Sequence, residues 1–281
     1  MIDKRLVIVS GKGGTGKSAF AAGLALLAQR QGLRVLAAEI GDGGGLSAHF
    51  GAGALAFRPR EVRPGLHAMR MVRSEALLEY LSIQLGIKTI ARFGPFARAF
   101  DALATTAPGI REIITIGKLV WEVREDRWDI VIADAPPTGQ IGSYLRGPQT
   151  IRELVPSGRV RAQSDQMAAM LSDPGQTELV LMTIPEELPV IETRETLAWL
   201  ADEKIEVSTT VVANRVLDRL ATAKEVSGPI GEAALLHRQL SDEQRTWLER
   251  FPTDLQLPYL FGLFTPGEVA AHVSDELEAR L

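Results

Sequence analysis

Residues 11–18 read Gly-Lys-Gly-Gly-Thr-Gly-Lys-Ser and fit the spacing G-x-x-x-x-G-K-[ST]. Those residue types in that order suit a phosphate chain. Gly11, Gly13, Gly14 and Gly16 allow positive φ and a close backbone approach to phosphate oxygens. The consecutive amides, that of Thr15 included, then form an anion nest at the positive end of the helix that follows. Lys17 is expected to bridge the β- and γ-phosphates, and the Ser18 hydroxyl to complete a Mg²⁺ shell. Lys12 is an extra cation directly after the first glycine. The octapeptide predicts a nucleotide site.

A second run completes it. Asp129-Ile130-Val131-Ile132-Ala133 is an apolar strand pattern that ends in Asp134-Ala135-Pro136-Pro137-Thr138-Gly139. An aspartate at the end of such a strand is where a phosphate-loop fold holds Mg²⁺, directly or through water. The Pro-Pro-Thr-Gly after it suits a stiff loop that reports on the γ-phosphate. Val211-Val212-Ala213-Asn214 is a strand ending in an amide, which presents donor and acceptor together and suits adenine N6 and N7. A turn or capping role for Asn214 fits the residue equally well.

The elements that must position these groups alternate along the chain. Strand patterns fall at Leu6–Ser10, Val35–Glu39, Gly65–Met71, Ile130–Asp134, Glu178–Thr183, Ser208–Asn214 and Gln256–Leu260. Several are continuous apolar runs, as strands covered on both faces require. Helical patterns lie between them at Ser18–Gln31, Ile191–Glu203 and Asp242–Phe251. From about 73 to 128 the alternation stops, and Ser74–Leu85, Pro95–Thr106 and Pro108–Asp126 read as helix on helix. Pro156–Leu171 reads as a further helix. The expectation is one α/β domain over residues 1–281, a doubly wound and mostly parallel sheet with a helical insertion, its ligand at the carboxyl ends of the strands.

Composition narrows the chemistry. There is no cysteine, which removes disulfides, thiolate zinc sites and cysteine nucleophiles together. His49, His67, His237 and His272 lack metal-ligand spacing, so Mg²⁺ is the one metal expected. A net charge of −4 and a pI near 5.7 speak against a nucleic-acid surface, and Arg58/Arg60/Arg63 and Arg70/Arg73 read as solvated loop faces. No apolar run approaches the ~18 residues a bilayer span needs. Because the first strand begins at Leu6, no signal peptide is expected, and the reading is a soluble, cytoplasmic protein.

The extra lysine, the Asp134–Gly139 run and the strand ending in Asn214 together resemble the ArsA-type ATPases with a deviant Walker A loop. That group includes arsenite-pump ATPases, the targeting factor for tail-anchored proteins and paired actinobacterial ArsA-like proteins, with MinD and ParA more distant. Pro185-Glu186-Glu187-Leu188-Pro189-Val190-Ile191-Glu192-Thr193 resembles the family's P-E-x-x-x-x-x-E-T segment. Pro108-Gly109-Ile110-Arg111-Glu112 and Gly117-Lys118 resemble the paired actinobacterial subgroup more than the pump. The resemblance implies ATP with Mg²⁺, hydrolysis to ADP and phosphate, and a homodimer or a heterodimer with a paralogue. It implies that Lys12 reaches across the dimer interface to the partner's nucleotide, and that Pro258-Tyr259-Leu260-Phe261 covers the adenine.

Three features depart from the family's pattern. Aligning Leu46-Ser47-Ala48-His49-Phe50 with L-S-D-A-F puts Gly41 at the switch I aspartate that orients the attacking water, with Asp42 one residue late in a glycine run. Asp42 is the candidate to take that place. Gln140 stands where the family often has histidine, and the lack of cysteine removes the arsenite thiolate site.

Three functions are in view. The first is a dimeric ATPase whose closure controls a protein partner or client through the insertion, which carries Leu77, Leu78, Leu81, Ile83, Leu85, Ile87, Phe93, Phe96 and Phe100. Packing against the sheet would use the same residues. The second is an ATP-binding pseudo-enzyme that lends Lys12 to an active paralogue. The third is a MinD/ParA-like positioning ATPase. The tail 267–281 has the apolar stripe Val269, Val273, Leu277 and Leu281, but it is acidic (Glu268, Asp275, Glu276, Glu278), which disfavours anionic lipid.

Overall fold

In the computed structural model, residues 1–41, 44–85, 110–220 and 228–281 are described. β1 (Leu6–Gly11) is buried along its whole length, as its unbroken apolar run requires, and a glycine loop carries the chain into α1 (Lys17–Arg30). β2 (Val35–Glu39), α2 (Gly45–His49), β3 (Arg60–Arg63), β4 (Leu66–Arg70) and α3 (Arg73–Leu85) follow. Then come α4 (Ile110–Arg124), β5 (Ile130–Asp134), α5 (Thr138–Leu154), α6 (Arg159–Ser172) and β6 (Thr177–Thr183). The chain closes with α7 (Glu187–Asp202), β7 (Ser208–Val216), α8 (Pro229–Arg250), β8 (Leu255–Pro258) and α9 (Pro266–Glu278).

The described strands make one sheet in the order β3-β4-β2-β5-β1-β6-β7-β8, parallel except for β3 against β4. β1 sits between β5 and β6, so the chain winds to one side of it first and to the other later. That reversal opens the crevice at the carboxyl ends of β1, β5 and β6 where α/β sheets bind ligands.

Strand alternation divides the core into two layers. Leu6, Ile8, Leu36, Ala38, Val131 and Ala133 face one side, where Ile116, Leu119, Tyr144, Leu145, Met170 and Leu200 cover them from α4 to α7. Val7, Val9, Val35, Ala37, Ile130 and Ile132 face the other, under α1 and α9. α1 is enclosed because α9 lies on its outer side. A Cβ on Gly23 would stand 2.5 Å from Val273 Cγ1 and 3.1 Å from the Ala270 carbonyl, so the absent side chain sets the helix spacing.

Several sequence expectations shift here. The amphipathic tail is α9, and its stripe of Ala270, Val273 and Leu277 is spent on α1. Thr265 and Glu268 start it with a capping box. α4 packs on the sheet, where Ile116, Leu119, Val120 and Val123 join the core. The expected helix at 95–106 and Ile87, Phe93, Phe96 and Phe100 lie outside the described residues.

β3 was not expected, being a polar edge strand of Arg-Glu-Val-Arg. Nor was α5, which contains Gly139, Gly142, Gly147 and Pro148. Those residues argue against a helix in isolation, yet two of them are required by packing. A Cβ on Gly142 would fall 2.6 Å from the Trp199 ring, and one on Gly147 would fall 2.8 Å from Ile113 Cγ1. α8 starts at Pro229, well before the expected Asp242. No described helix is long and apolar enough to cross a membrane.

Candidate nucleotide site

The loop between β1 and α1 is shaped by its glycines. Gly11 (φ 149°), Gly14 (φ 87°) and Gly16 (φ 95°) take conformations that other residues resist, whereas Gly13 does not. The expectation of positive φ at all four is corrected at Gly13. Gly11 has a second reason to be glycine, because a Cβ there would lie 2.2 Å from the Met182 carbonyl of β6. At Gly13 and Gly14 a Cβ would meet nothing within 4 Å, so this part of the loop faces open space. Among the described residues, the amides of Gly13, Gly14, Gly16 and Lys17 find no backbone carbonyl, while the Thr15 amide reaches Lys12 O at 3.4 Å. A row of unspent N–H groups at the start of a helix is an anion cradle.

The cations around it are held differently. The Lys17 ammonium donates to Lys12 O at 3.0 Å and is half withdrawn from water, which lowers its pKa against the opposing pull of Asp134. Lys12 is turned to α7, where its ammonium pairs with the Glu192 carboxylate. Thr15 points inward and donates from Oγ1 to Lys12 O at 2.8 Å, which fixes the loop's curvature.

β5 delivers Asp134 beside this loop. It is 7 % exposed, and burial pushes its carboxyl up to about 6, with a hydrogen bond from Ser18 and the Lys17 charge opposing and the Glu39 charge adding. Ser10 Oγ donates to Pro136 O at 2.7 Å, and the Ala135 amide donates to Val9 O at 2.9 Å, so the segment after Asp134 is tied to β1. Thr138, at the start of α5, is buried with no partner for its hydroxyl among the described residues. The donor set of Ser18 hydroxyl and Asp134 carboxylate, with an orphaned hydroxyl on the next helix, suits a hard, oxygen-seeking divalent cation.

Asn214 is tied to the phosphate loop. Its Nδ2 donates to Thr15 O at 2.9 Å and its Oδ1 accepts from the Arg215 amide at 2.9 Å. A Cβ on Gly16 would stand 2.3 Å from that nitrogen. The side chain therefore braces the phosphate loop from β7, and it keeps one N–H and one lone pair for a further partner. Pro258 ends β8, and Phe261 beyond it is exposed, its ring stacked near Tyr259 (centroids 4.7 Å apart) and His237 (5.8 Å). Asp42 lies outside the described residues. Sequence reasoning missed Glu39 and Glu192 as site groups. Glu39 looks like an ordinary strand end, and Glu192 becomes a site group only once α7 is folded against the loop.

A parallel sheet with a glycine loop at its central strand and a buried aspartate on the neighbouring one defines a P-loop nucleotide-binding protein. A sequence model of the anion-transporting ATPases matches residues 4–157. The chain is 33 % identical to the ATPase BagA of Mycobacterium tuberculosis (strain ATCC 25618 / H37Rv) over 80 % of its own length and 70 % of the relative's. It is 24 % identical to an ATPase ASNA1 homolog of Babesia bovis, over 76 % of this chain and 67 % of that one. Against the ATPase get3 of Schizosaccharomyces pombe (strain 972 / ATCC 24843) the identity is 24 %, over 60 % and 50 %. The chain belongs to the ArsA-type ATPase family.

Proposed function

We propose that this chain binds ATP with Mg²⁺ in the loop 11–18 and hydrolyses it to ADP and phosphate as one half of a two-subunit assembly. The observation that carries the reading is the row of uncommitted amides at Gly13, Gly14, Gly16 and Lys17, opening on free space at the positive end of α1. Lys17 supplies the fixed cation for the β- and γ-phosphates. Ser18 and Asp134 would hold Mg²⁺, which offsets phosphate charge when bound. Pro258 and Phe261 border the base. Asp42 orients the attacking water, whose oxygen bonds to the γ-phosphorus as the bridging P–O bond breaks.

Lys12 is the group that asks for a second subunit. Its ammonium is held by Glu192 on α7, a helix that covers the face of the sheet opposite α1. In the closed assembly it is released to the partner's phosphates, where it stabilises developing charge. The partner is a second copy or a paralogue. An apolar cavity of about 350 Å³ between α3, α4 and α6, lined by Leu77, Leu81, Ile83, Ile114, Trp121 and Met167, supports control of a protein client on this side.

Phosphate release by purified protein, with and without Asp42→Asn, tests the enzymatic part. Turnover that falls by tenfold or more in the variant supports it. A chain that binds ATP but shows no turnover alone, with no change in the variant, points to an ATP-binding subunit that needs an active paralogue.

A further inference from the structure

Glu39 is a buried charged side chain beside the phosphate loop's aspartate. It ends β2, it is 4 % exposed, and it is paired in register with Asp134 of the adjacent β5. Directly paired residues on neighbouring strands lie about 5 Å apart and project to the same face. Alternation from Val35 and Ala37 on β2, and from Ile130 and Ile132 on β5, puts both carboxylates on the face covered by α1. Ser18 lies in the first turn of that helix, and the start of α2 is laid across the group. A Cβ on Gly45 would stand 2.4 Å from Ser18 Oγ and 3.5 Å from Asp134 Oδ2. The Leu46 amide donates to Glu39 Oε1 at 3.3 Å, a long and weak bond.

Two carboxylates enclosed on paired positions of neighbouring strands repel each other. Apolar residues hold the equivalent inward positions one step back, Ala37 and Ile132. A second buried acid beside the first costs stability unless a cation joins them. Capping a five-residue helix through one long hydrogen bond is a small return for it.

We infer that Glu39 is a second carboxylate of the magnesium site, acting with Asp134 and Ser18 to make nucleotide binding depend on the divalent ion. The inference rests on the phosphate-loop reading above and adds a residue to it. Without the ion, Glu39 and Asp134 together oppose the nucleotide's phosphates. With it, the same two charges favour the complex. The site thereby selects the metal-loaded nucleotide over the free one.

Titration of ADP into wild type and Glu39→Gln, in MgCl₂ and in EDTA, tests this by a crossover. The amide of Gln still accepts from Leu46, so α2 keeps its contact. In EDTA the variant is expected to bind ADP as tightly as wild type or more tightly. In MgCl₂ its gain in affinity should fall by about tenfold, as the loss of one charged ligand implies. Glu39→Asp gives a second reading that does not depend on the first variant folding well. A metal role ranks Asp above Gln in magnesium gain, whereas a capping role ranks Gln above Asp. An unchanged magnesium gain in Glu39→Gln, or an equal loss in both buffers, overturns the inference. Failure of wild type to bind ADP at all overturns the phosphate-loop reading instead.

Discussion

Lys12 and Glu192, 180 residues apart in the chain, form an ion pair between the phosphate loop and the second turn of α7. Both side chains keep roughly a third of their surface in water, 30 % and 38 %. Such a pair contributes about 1 kcal/mol at most. It is strong enough to park a lysine and weak enough to let it go.

Glu192→Gln should therefore ease release of Lys12. Association of the protein in the presence of a non-hydrolysable ATP analogue is expected to strengthen by up to about fivefold, the factor that 1 kcal/mol allows. Sedimentation velocity over a concentration series reads this. Weaker association in the variant would show that Glu192 works within the assembled state.

Asn214→Ala should loosen the phosphate loop by removing the bond to Thr15 O. One lost hydrogen bond is worth about 0.5–1.5 kcal/mol, so affinity should drop by about 2- to 13-fold. The drop should be the same for ATP and GTP, because the brace touches the loop and not the base. A change of more than about tenfold in the ATP/GTP ratio would show that the amide reads the base as well.

The phosphate loop, its strand and its helix were legible because each is local. An apolar run, four glycines and a helix-forming stretch need no distant contact to declare themselves. The buried aspartate at the end of β5 was legible for the same reason. What was hidden depends on packing. α5 was hidden because Gly142 and Gly147 look like helix breakers until Trp199 and Ile113 are seen pressed against them. β3 was hidden because a polar edge strand carries no alternation. The donor and acceptor chemistry of Asn214 is plain in the sequence, but its bond to Thr15 O, which uses one N–H of the amide, appears only in the fold. Glu39 and Glu192 gain a role from neighbours that sequence spacing does not reveal.

Gly23 offers a test of the α1–α9 contact. Gly23→Val puts methyl groups where Val273 and the Ala270 carbonyl already stand. Overpacking of this kind costs about 1–3 kcal/mol, read as a lower thermal midpoint. Gly139→Ala, where a Cβ meets nothing within 4 Å, should change stability by no more than about 1 kcal/mol. Equal effects would mean that α9 is not seated closely on α1.

Asp134 makes the nucleotide-free protein sensitive to pH. Its carboxyl is raised by burial from 3.8 to about 6, so between those values the unfolded chain gives up this proton first. The stability the group confers is complete below about 4 and is lost as pH rises through about 6. Relative to Asp134→Asn, the metal-free wild type should lose roughly 1–3 kcal/mol from pH 4 to pH 7. Paired chemical denaturations across that range check it. A difference that stays flat would place the carboxyl in a far wetter setting.

In the proposed assembly one lysine of the loop holds nucleotide and the other serves a partner. Titration of a non-hydrolysable ATP analogue with magnesium into wild type, Lys17→Ala and Lys12→Ala separates the two roles. Lys17→Ala should bind about 10- to 150-fold more weakly, as expected for loss of hydrogen bonds to a charged group. Lys12→Ala should bind within about threefold of wild type while losing nucleotide-dependent association, because its partner in this chain is Glu192. Equal loss of affinity in the two variants, or full affinity in Lys17→Ala, would rule out this division of roles between the two lysines.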